Sequence, residues 1–366
     1  MTGCGGDKKK EDNKAAGDTI KVGVFLPLTG DNAAGGELEL RGIKLANKLH
    51  PEVLGKKVQL VVADNKSDKA EAASVAARLI EKDKVCTILG TYGSSLAMAA
   101  GNIVKEAKVP AIGTSCTNPQ VTANNDYYFR ACFIDPFQGT VMANYAFKDL
   151  KVKKAAILVD NTSDYAKGLT QFFKENFVKL GGEVVAEEAY LQKDTDFKAT
   201  LTKIKAAAPD FIYIPGYYQE VGLIVKQARE MGITVTMAGG DGWDSAKLPE
   251  IAGKAALNNT IFSSLYSPDD ASDLNKSFVA EYKKAYNGNP DVFAALAYDS
   301  TLLVAKAMED AKSAEPAKIA AAMAKIAGFK GVSGEVTFNE QHNPIKSAVI
   351  IEHKDGVQTF KAKVNP

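Results

Sequence analysis

Apolar residues along this chain fall in short unbroken runs, and amphipathic stretches separate the runs. The first run is Lys21-Val22-Gly23-Val24-Phe25-Leu26, followed by a helical pattern over 36–49 in which Leu38, Ile43, Leu45 and Ala46 are the apolar positions. Strand-like runs recur at 58–63, 86–89 and 109–112, with helical stretches at 69–82 and 95–107 between them. A second series then begins: strands at 155–159, 183–189, 211–214 and 234–238, and helices at 165–180, 197–207 and 220–231. Continuous apolar strands alternating with helices predict parallel sheets covered on both faces. Two successive βαβαβ blocks predict an α/β fold of two doubly wound parallel-sheet lobes.

The last hundred or so residues do not make a third block. A strand at 260–262, long helices at 273–286 and 292–310, and strands at 332–338 and 347–353 paired across a turn at 339–344 are the expected elements. Leftover elements after two complete lobes predict that the chain crosses back and completes both, giving a hinge of several strands.

Composition narrows the function classes. A chain of 366 residues is too long for one core, and its 46% apolar and 24% charged content is ordinary for a globular protein. The net charge of +1 supplies no basic field for nucleic acid. No apolar run is long enough to span a membrane. His50, His342 and His353 stand apart, and Cys86, Cys116 and Cys132 match no metal-ligand spacing, so neither metal nor cofactor is expected. One disulfide among the three cysteines stays open. The chain carries no nucleophile elbow, phosphate-binding loop or paired-histidine zinc motif, and Cys116 has no base evident in sequence. These absences argue against an enzyme.

The polar tract Asp7 to Gly17 offers no apolar run to bury, and residues 1–17 read as a disordered tether. Within them, Thr2-Gly3-Cys4-Gly5 resembles the end of a bacterial lipoprotein signal, whose cysteine becomes the lipidated first residue; the apolar segment of such a signal does not precede it here. The expectation is a lipid anchor on Cys4, the only attachment to a membrane, and a location in the periplasm or on the outer face of the cytoplasmic membrane. The plain alternative is a surface cysteine in a loose tail.

In an open α/β sheet, ligands bind beyond the carboxyl ends of the strands. Four strands deliver Gly90-Thr91-Tyr92-Gly93-Ser94-Ser95, Gly113-Thr114-Ser115-Cys116-Thr117-Asn118-Pro119, Pro215-Gly216-Tyr217-Tyr218 and Gly239-Gly240-Asp241-Gly242-Trp243-Asp244 to those ends. Each has a plain reading alone: Ser94 or Ser95 as a helix N-cap, Thr117-Asn118-Pro119 as a turn, Tyr217 as a packed aromatic, Asp241 as a loop residue. As a set they suit a zwitterion. Helix N-termini and the Ser94 and Thr117 hydroxyls serve a carboxylate, Asp241 serves an ammonium, and aromatic rings cover the apolar part.

From Ile20 to about Ala362 the chain resembles the leucine/isoleucine/valine-binding proteins, among the type I periplasmic binding proteins. The stretch Ile20 to Val24, Thr29-Gly30 and Gly35 to Gly42 is similar to the start of that family. Phe211 to Gly222, then Gln227-Ala228-Arg229-Glu230-Met231-Gly232, is the most specific match, and Ile251-Ala252-Gly253 adds to it. The resemblance implies ligand contacts from Ser94 and Thr117, from Ser115 in the same stretch, from the Cys116 backbone, from Tyr165 and Tyr217 on the second lobe, from Asp241 to the ammonium, and from Phe293 in the late helices. It implies a monomer that binds a small amino acid, branched-chain or aliphatic, and delivers it to the permease of an ABC importer. A sensory receptor of the same fold for an amino acid, amide or aromatic acid is the alternative. It also implies hinge crossings near 134–138, 263–267 and 340–346. The lobes are then 18–136 plus 266–342, and 137–265 plus 343–366. The chain departs from the family in two places. The first-lobe cysteine pair of some members is replaced by Asn65 or Lys66 and Gly93, and the acid is Asp241 where some members have the longer Glu, with Trp243 as a large neighbour.

Overall fold

The computed structural model describes residues 19–365. The first sheet has six strands, in the spatial order Glu52–Val53, Lys56–Asp64, Thr19–Leu26, Ile88–Leu89, Ala111–Gly113 and Tyr128–Arg130. All its pairings are parallel except the short edge pairing of Glu52–Val53 with Lys56–Asp64. The second sheet has seven strands, in the order Val357–Val364, Ala348–Lys354, Thr260–Ser264, Thr236–Gly239, Phe211–Tyr213, Lys154–Asp160 and Glu183–Tyr190. Its five central and outer strands are parallel, and the two C-terminal strands join it antiparallel. The α/β class and the two parallel-dominated lobes are as the sequence pattern predicts.

The helices between strands begin where the side chains dictate. Asp68 accepts from the backbone N–H groups of Ala70 and Glu71 and so starts Lys69–Glu81. Ser163 and Asp291 cap Asp164–Lys179 and Val292–Ala311 in the same way. The helix Val292–Ala311 crosses back to the first lobe. It packs so closely on Ala33–Leu49 that a Cβ on Gly42 would meet the Ala294 carbonyl at 2.2 Å. The chain passes between the sheets three times: after Arg130, after Ser264 and before Ala348.

One expectation about the C-terminal region is corrected. The strands expected at 332–338 and 347–353 do not pair. Gly334–Val336 pairs with Phe329–Gly331 in a two-stranded ribbon, and Ala348–Lys354 pairs with Thr260–Ser264 and Val357–Val364. Only an isolated bridge, Phe338 to Pro344, joins the two regions. The reason is chain direction. After the third crossing, Ala348–Lys354 belongs to the second sheet, where it buries Ala348 and Ile350. The helix Pro316–Met323 and the strand Val357–Val364 were not anticipated from the sequence.

Candidate functional site

Ser94 opens the helix Ser94–Ala107, and Gly93, not a serine, holds its N-cap position. The capping role open to Ser94 is therefore not the one it takes. Its Oγ instead accepts from the Asn118 N–H at 3.1 Å, so the Ser94 hydroxyl keeps its own proton for another acceptor. This bond joins the two strand-end stretches into one wall. Ser115, Cys116 and Thr117 follow the strand Ala111–Gly113, and all three are buried. The Ser115 hydroxyl donates to Glu39 Oε1. Thr117 Oγ1 is buried with no partner. Burial pushes the Cys116 thiol up to about 12, which keeps it protonated near neutral pH. Its carbonyl accepts from Arg130 Nη1 at 2.8 Å, and Arg130 Nη2 reaches the Asn118 carbonyl at 2.9 Å and Thr122 Oγ1 at 3.1 Å. Arg130, fully buried, thus holds the shape of the whole loop.

The second lobe contributes from three separate connections. Tyr165 stands in the first turn of Asp164–Lys179, Tyr217 precedes Tyr218–Glu230, and Asp241 lies in a single 3₁₀ turn after Thr236–Gly239. The Tyr165 hydroxyl donates to Asp241 Oδ1 at 3.0 Å, and its ring stacks on Tyr217 with centroids 5.2 Å apart. Close approach is built in at Gly240, where a Cβ would lie 2.4 Å from the Tyr165 hydroxyl. Phe293, on the crossing helix, meets Tyr92 edge-on at 4.8 Å, and Tyr92 meets Tyr217 at 5.3 Å. The rings of both lobes therefore touch, and the cleft is closed. Of the candidate residues, Tyr165, Tyr217 and Asp241 meet directly, and Phe293 reaches them through Tyr92; Ser94, Ser115, Cys116 and Thr117 form the adjoining first-lobe stretch.

Trp243 does not line this space. Its indole is fully buried in the second-lobe core and donates to the Ile214 carbonyl at 2.9 Å. The residue treated as a bulky neighbour of the site is a core residue.

Electrostatics single out Asp241. Burial pushes it up to about 6, against the opposing hydrogen bonds of Gln138 and Tyr165. Among the described residues no Lys, Arg or His forms an ion pair with it. A buried carboxylate without a cation is costly unless one arrives with a ligand. Gln138, in the first turn after the first crossing, donates to Asp241 Oδ1 at 3.0 Å and accepts from the Asp241 N–H at 2.9 Å and from Ser263 Oγ at 2.8 Å. Asp135 beside it is pushed up to about 8 by burial, so near neutral pH it is protonated and Asp241 carries the charge. Burial also lifts Tyr92, Tyr165 and Tyr217 well above the ordinary phenol range, leaving three neutral hydroxyl groups.

The mouth of the cleft is laced across. Asp164 accepts from Lys69 Nζ at 2.9 Å and from Ser95 Oγ at 3.0 Å, its N–H donates back to Ser95, and its carbonyl accepts from Asn118 Nδ2 at 2.8 Å. Lys193 pairs with Asp31 at 3.3 Å. The sequence reading did not single out Arg130, Gln138, Asp164 or Tyr92. Tyr92 was visible as the large residue in an otherwise small strand-end loop. The other three act through contacts distant in sequence and leave no local signal. Cys86, Cys116 and Cys132 are free thiols, which closes the disulfide question among them. Cys4 lies outside the described residues. Among the described residues, no cluster of His, Cys, Asp or Glu suited to a metal ion is present, and no helix is long and apolar enough to cross a membrane.

A model of the periplasmic binding protein family matches residues 19–358. A leucine binding protein from Thermotoga maritima is 40% identical, with a TM-score of 0.93 over 95% of this chain and 99% of that one. The substrate-binding protein of a branched-chain amino acid transporter from Streptococcus pneumoniae, solved with isoleucine, is 39% identical, with a TM-score of 0.89 over the same shares, 95% and 99%. A Leu/Ile/Val-binding protein homolog from Brucella suis is 29% identical over 329 residues, 89% of this chain and 87% of that protein.

Proposed function

The chain belongs to the periplasmic binding protein family, and from that premise we propose that it captures a small α-amino acid between its two lobes for an ABC importer. The observation that carries this reading is Asp241, a buried carboxylate with no cationic partner among the described residues, held by Gln138 and Tyr165 in the lobe opposite the hydroxyl-bearing helix start at Ser94. An α-ammonium supplies the missing charge. Ser94, Thr117 and the backbone of the Ser115–Cys116 loop take the α-carboxylate, and Tyr165, Tyr217 and Phe293 cover the side chain. The relatives named for leucine, isoleucine and valine favour a branched-chain or aliphatic side chain. An aromatic acid without an amine gives Asp241 nothing to pair with, and so is the weaker reading.

The lobes divide as 18–136 plus 266–342 and 137–265 plus 343–366, and closure around the ligand presents the face that the permease recognises. The protein acts as a monomer outside the cytoplasm, held by a lipid on Cys4; mass spectrometry of the native mature protein tests the anchor, and a free Cys4 thiol refutes it.

A thermal-shift screen over the common amino acids tests the central reading. Several small or branched L-amino acids raise the melting temperature by mass action, while the matching carboxylic acids without an amine, and benzoate, do not. Equal shifts from amine-free acids would remove Asp241 from its role.

A further inference from the structure

The second lobe reaches the first at one buried helix end. The helix Val292–Ala311 carries Phe293 in its first turn and lies on the first-lobe helix Ala33–Leu49. Its own N-cap, Asp291, accepts from the Ala294 N–H at 2.9 Å. That leaves the Val292 N–H, one of the donors that a helix start cannot satisfy internally. The acceptor comes from the other lobe: it is Asp244 Oδ2, at 3.3 Å. Asp244 directly follows the turn Asp241–Trp243, and its neighbour Trp243 is fixed in the second-lobe core. Its other oxygen accepts at 2.9 Å from Gln358 Nε2, on the second-lobe strand Val357–Val364. Asp244 is 5% exposed.

This contact differs from those at the rim. Lys69 and Asp164 meet where both side chains stay partly exposed, so water can take the place of either partner. Asp244 and the Val292 N–H meet out of water's reach, and removing one leaves the other buried and unanswered. Parting the lobes would return both groups to water, which serves each of them. The cost of losing the bond therefore falls on the closed form. We propose that Asp244 is a positioning residue of the cleft: by capping Val292 from the opposite lobe it holds Phe293 in place over the bound ligand and slows the ligand's release. This inference rests on the reading of the cleft as an amino-acid site that closes on its ligand. The donor can be deleted with little change to the helix. Val292 is the first helical residue, where proline is well tolerated, and Asp291 before it is extended, at φ −107° and ψ −178°, as suits a residue preceding proline.

The test is a double-mutant cycle on the whole protein with the common L-amino acids, L-leucine first, read by calorimetry and by stopped-flow release. Asp244→Ala and Val292→Pro are each expected to raise the dissociation rate about fivefold while the association rate barely moves. Because both remove the same bond, the double variant is expected to release ligand no faster than the single ones. The melting temperature of the unliganded protein is expected to hold in all three, whereas a merely structural role would lower it. Additive losses, an unmoved release rate or a lowered melting temperature without ligand overturns the inference and leaves an amino-acid site standing. So does tighter binding by Asp244→Ala, which would mean that repulsion between Asp244 and Asp291 outweighs the cap. Failure of the wild type to bind any of the amino acids overturns both.

Discussion

The two walls of the cleft solve the same problem in opposite ways. The first-lobe wall comes from two strand ends tied directly to each other, Ser94 to Asn118, and stiffened from behind by the buried Arg130. It is neutral at its face and works through hydroxyls and N–H groups. The second-lobe wall is assembled from three separate connections and holds the one charge, Asp241, propped by Tyr165 and by Gln138 from the hinge. The contrast teaches that specificity for a zwitterion need not come from two opposed charged side chains. In the proposed binding mode, one carboxylate would meet the ammonium, and a preformed array of dipoles would meet the carboxylate.

The sharpest break of this comparison is at the charge. Asp241→Ala is expected to cost about 2 kcal/mol or more of amino-acid affinity, roughly a factor of 30, because it leaves a buried ammonium unpaired. Calorimetry that finds the affinity unchanged would place the ammonium elsewhere. The charge also fixes a pH dependence. Burial holds Asp241 up at about 6, and pairing with an ammonium would bring it back down. Affinity is then full above pH 6 and falls as the pH drops through that value, by at most about tenfold per unit. Asp135 and Glu39, both held up to about 8, stay protonated through that window and do not contribute to the slope.

A smaller effect is expected from the neutral wall. Thr117→Ala removes a buried hydroxyl and should weaken binding by about 1 kcal/mol with little change in melting temperature, whereas Ser94→Ala also leaves the buried Asn118 N–H unpaired and should lower both affinity and melting temperature. A lowered melting temperature with unchanged affinity would assign both residues to local structure instead. The smallest effect belongs to the rim. Asp164→Ala removes a partly exposed cross-lobe cluster and should cost below about 1 kcal/mol, with the loss shrinking further in high salt. A loss as large as that of Asp241→Ala would mean that closure, not ligand contact, dominates the affinity.

Much of this was legible in the chain. The continuous apolar strands located both sheets, because a strand buried on both faces has no polar face to confuse it with a helix. Strand ends pointed to Ser94, the Ser115–Thr117 stretch, Tyr217 and Asp241, and each does follow a strand, because open sheets deliver their loops to one edge. Tyr165 and Phe293 came from family resemblance alone: nothing local marks an aromatic at a helix start as part of a site. Gln138 stayed hidden because its role exists only after the first crossing folds back on Asp241 and Ser263. The C-terminal strands were misjudged as a hairpin because proximity in sequence was the only guide, and the third crossing overrode it.

Gln138 carries a mechanical consequence. It grips Asp241 and Ser263 at once, at the start of the helix that follows the first crossing. The acid therefore sits by the axle, while Asp164, Ser95 and Lys69 sit at the tips of the jaws. In any pair of jaws, travel grows with distance from the pivot. An opening that parted the tips widely would move the acid little, so the carboxylate proposed for the ammonium would stay in position while the protein gaped. The tip contacts meet last, as a latch dropping after the catch.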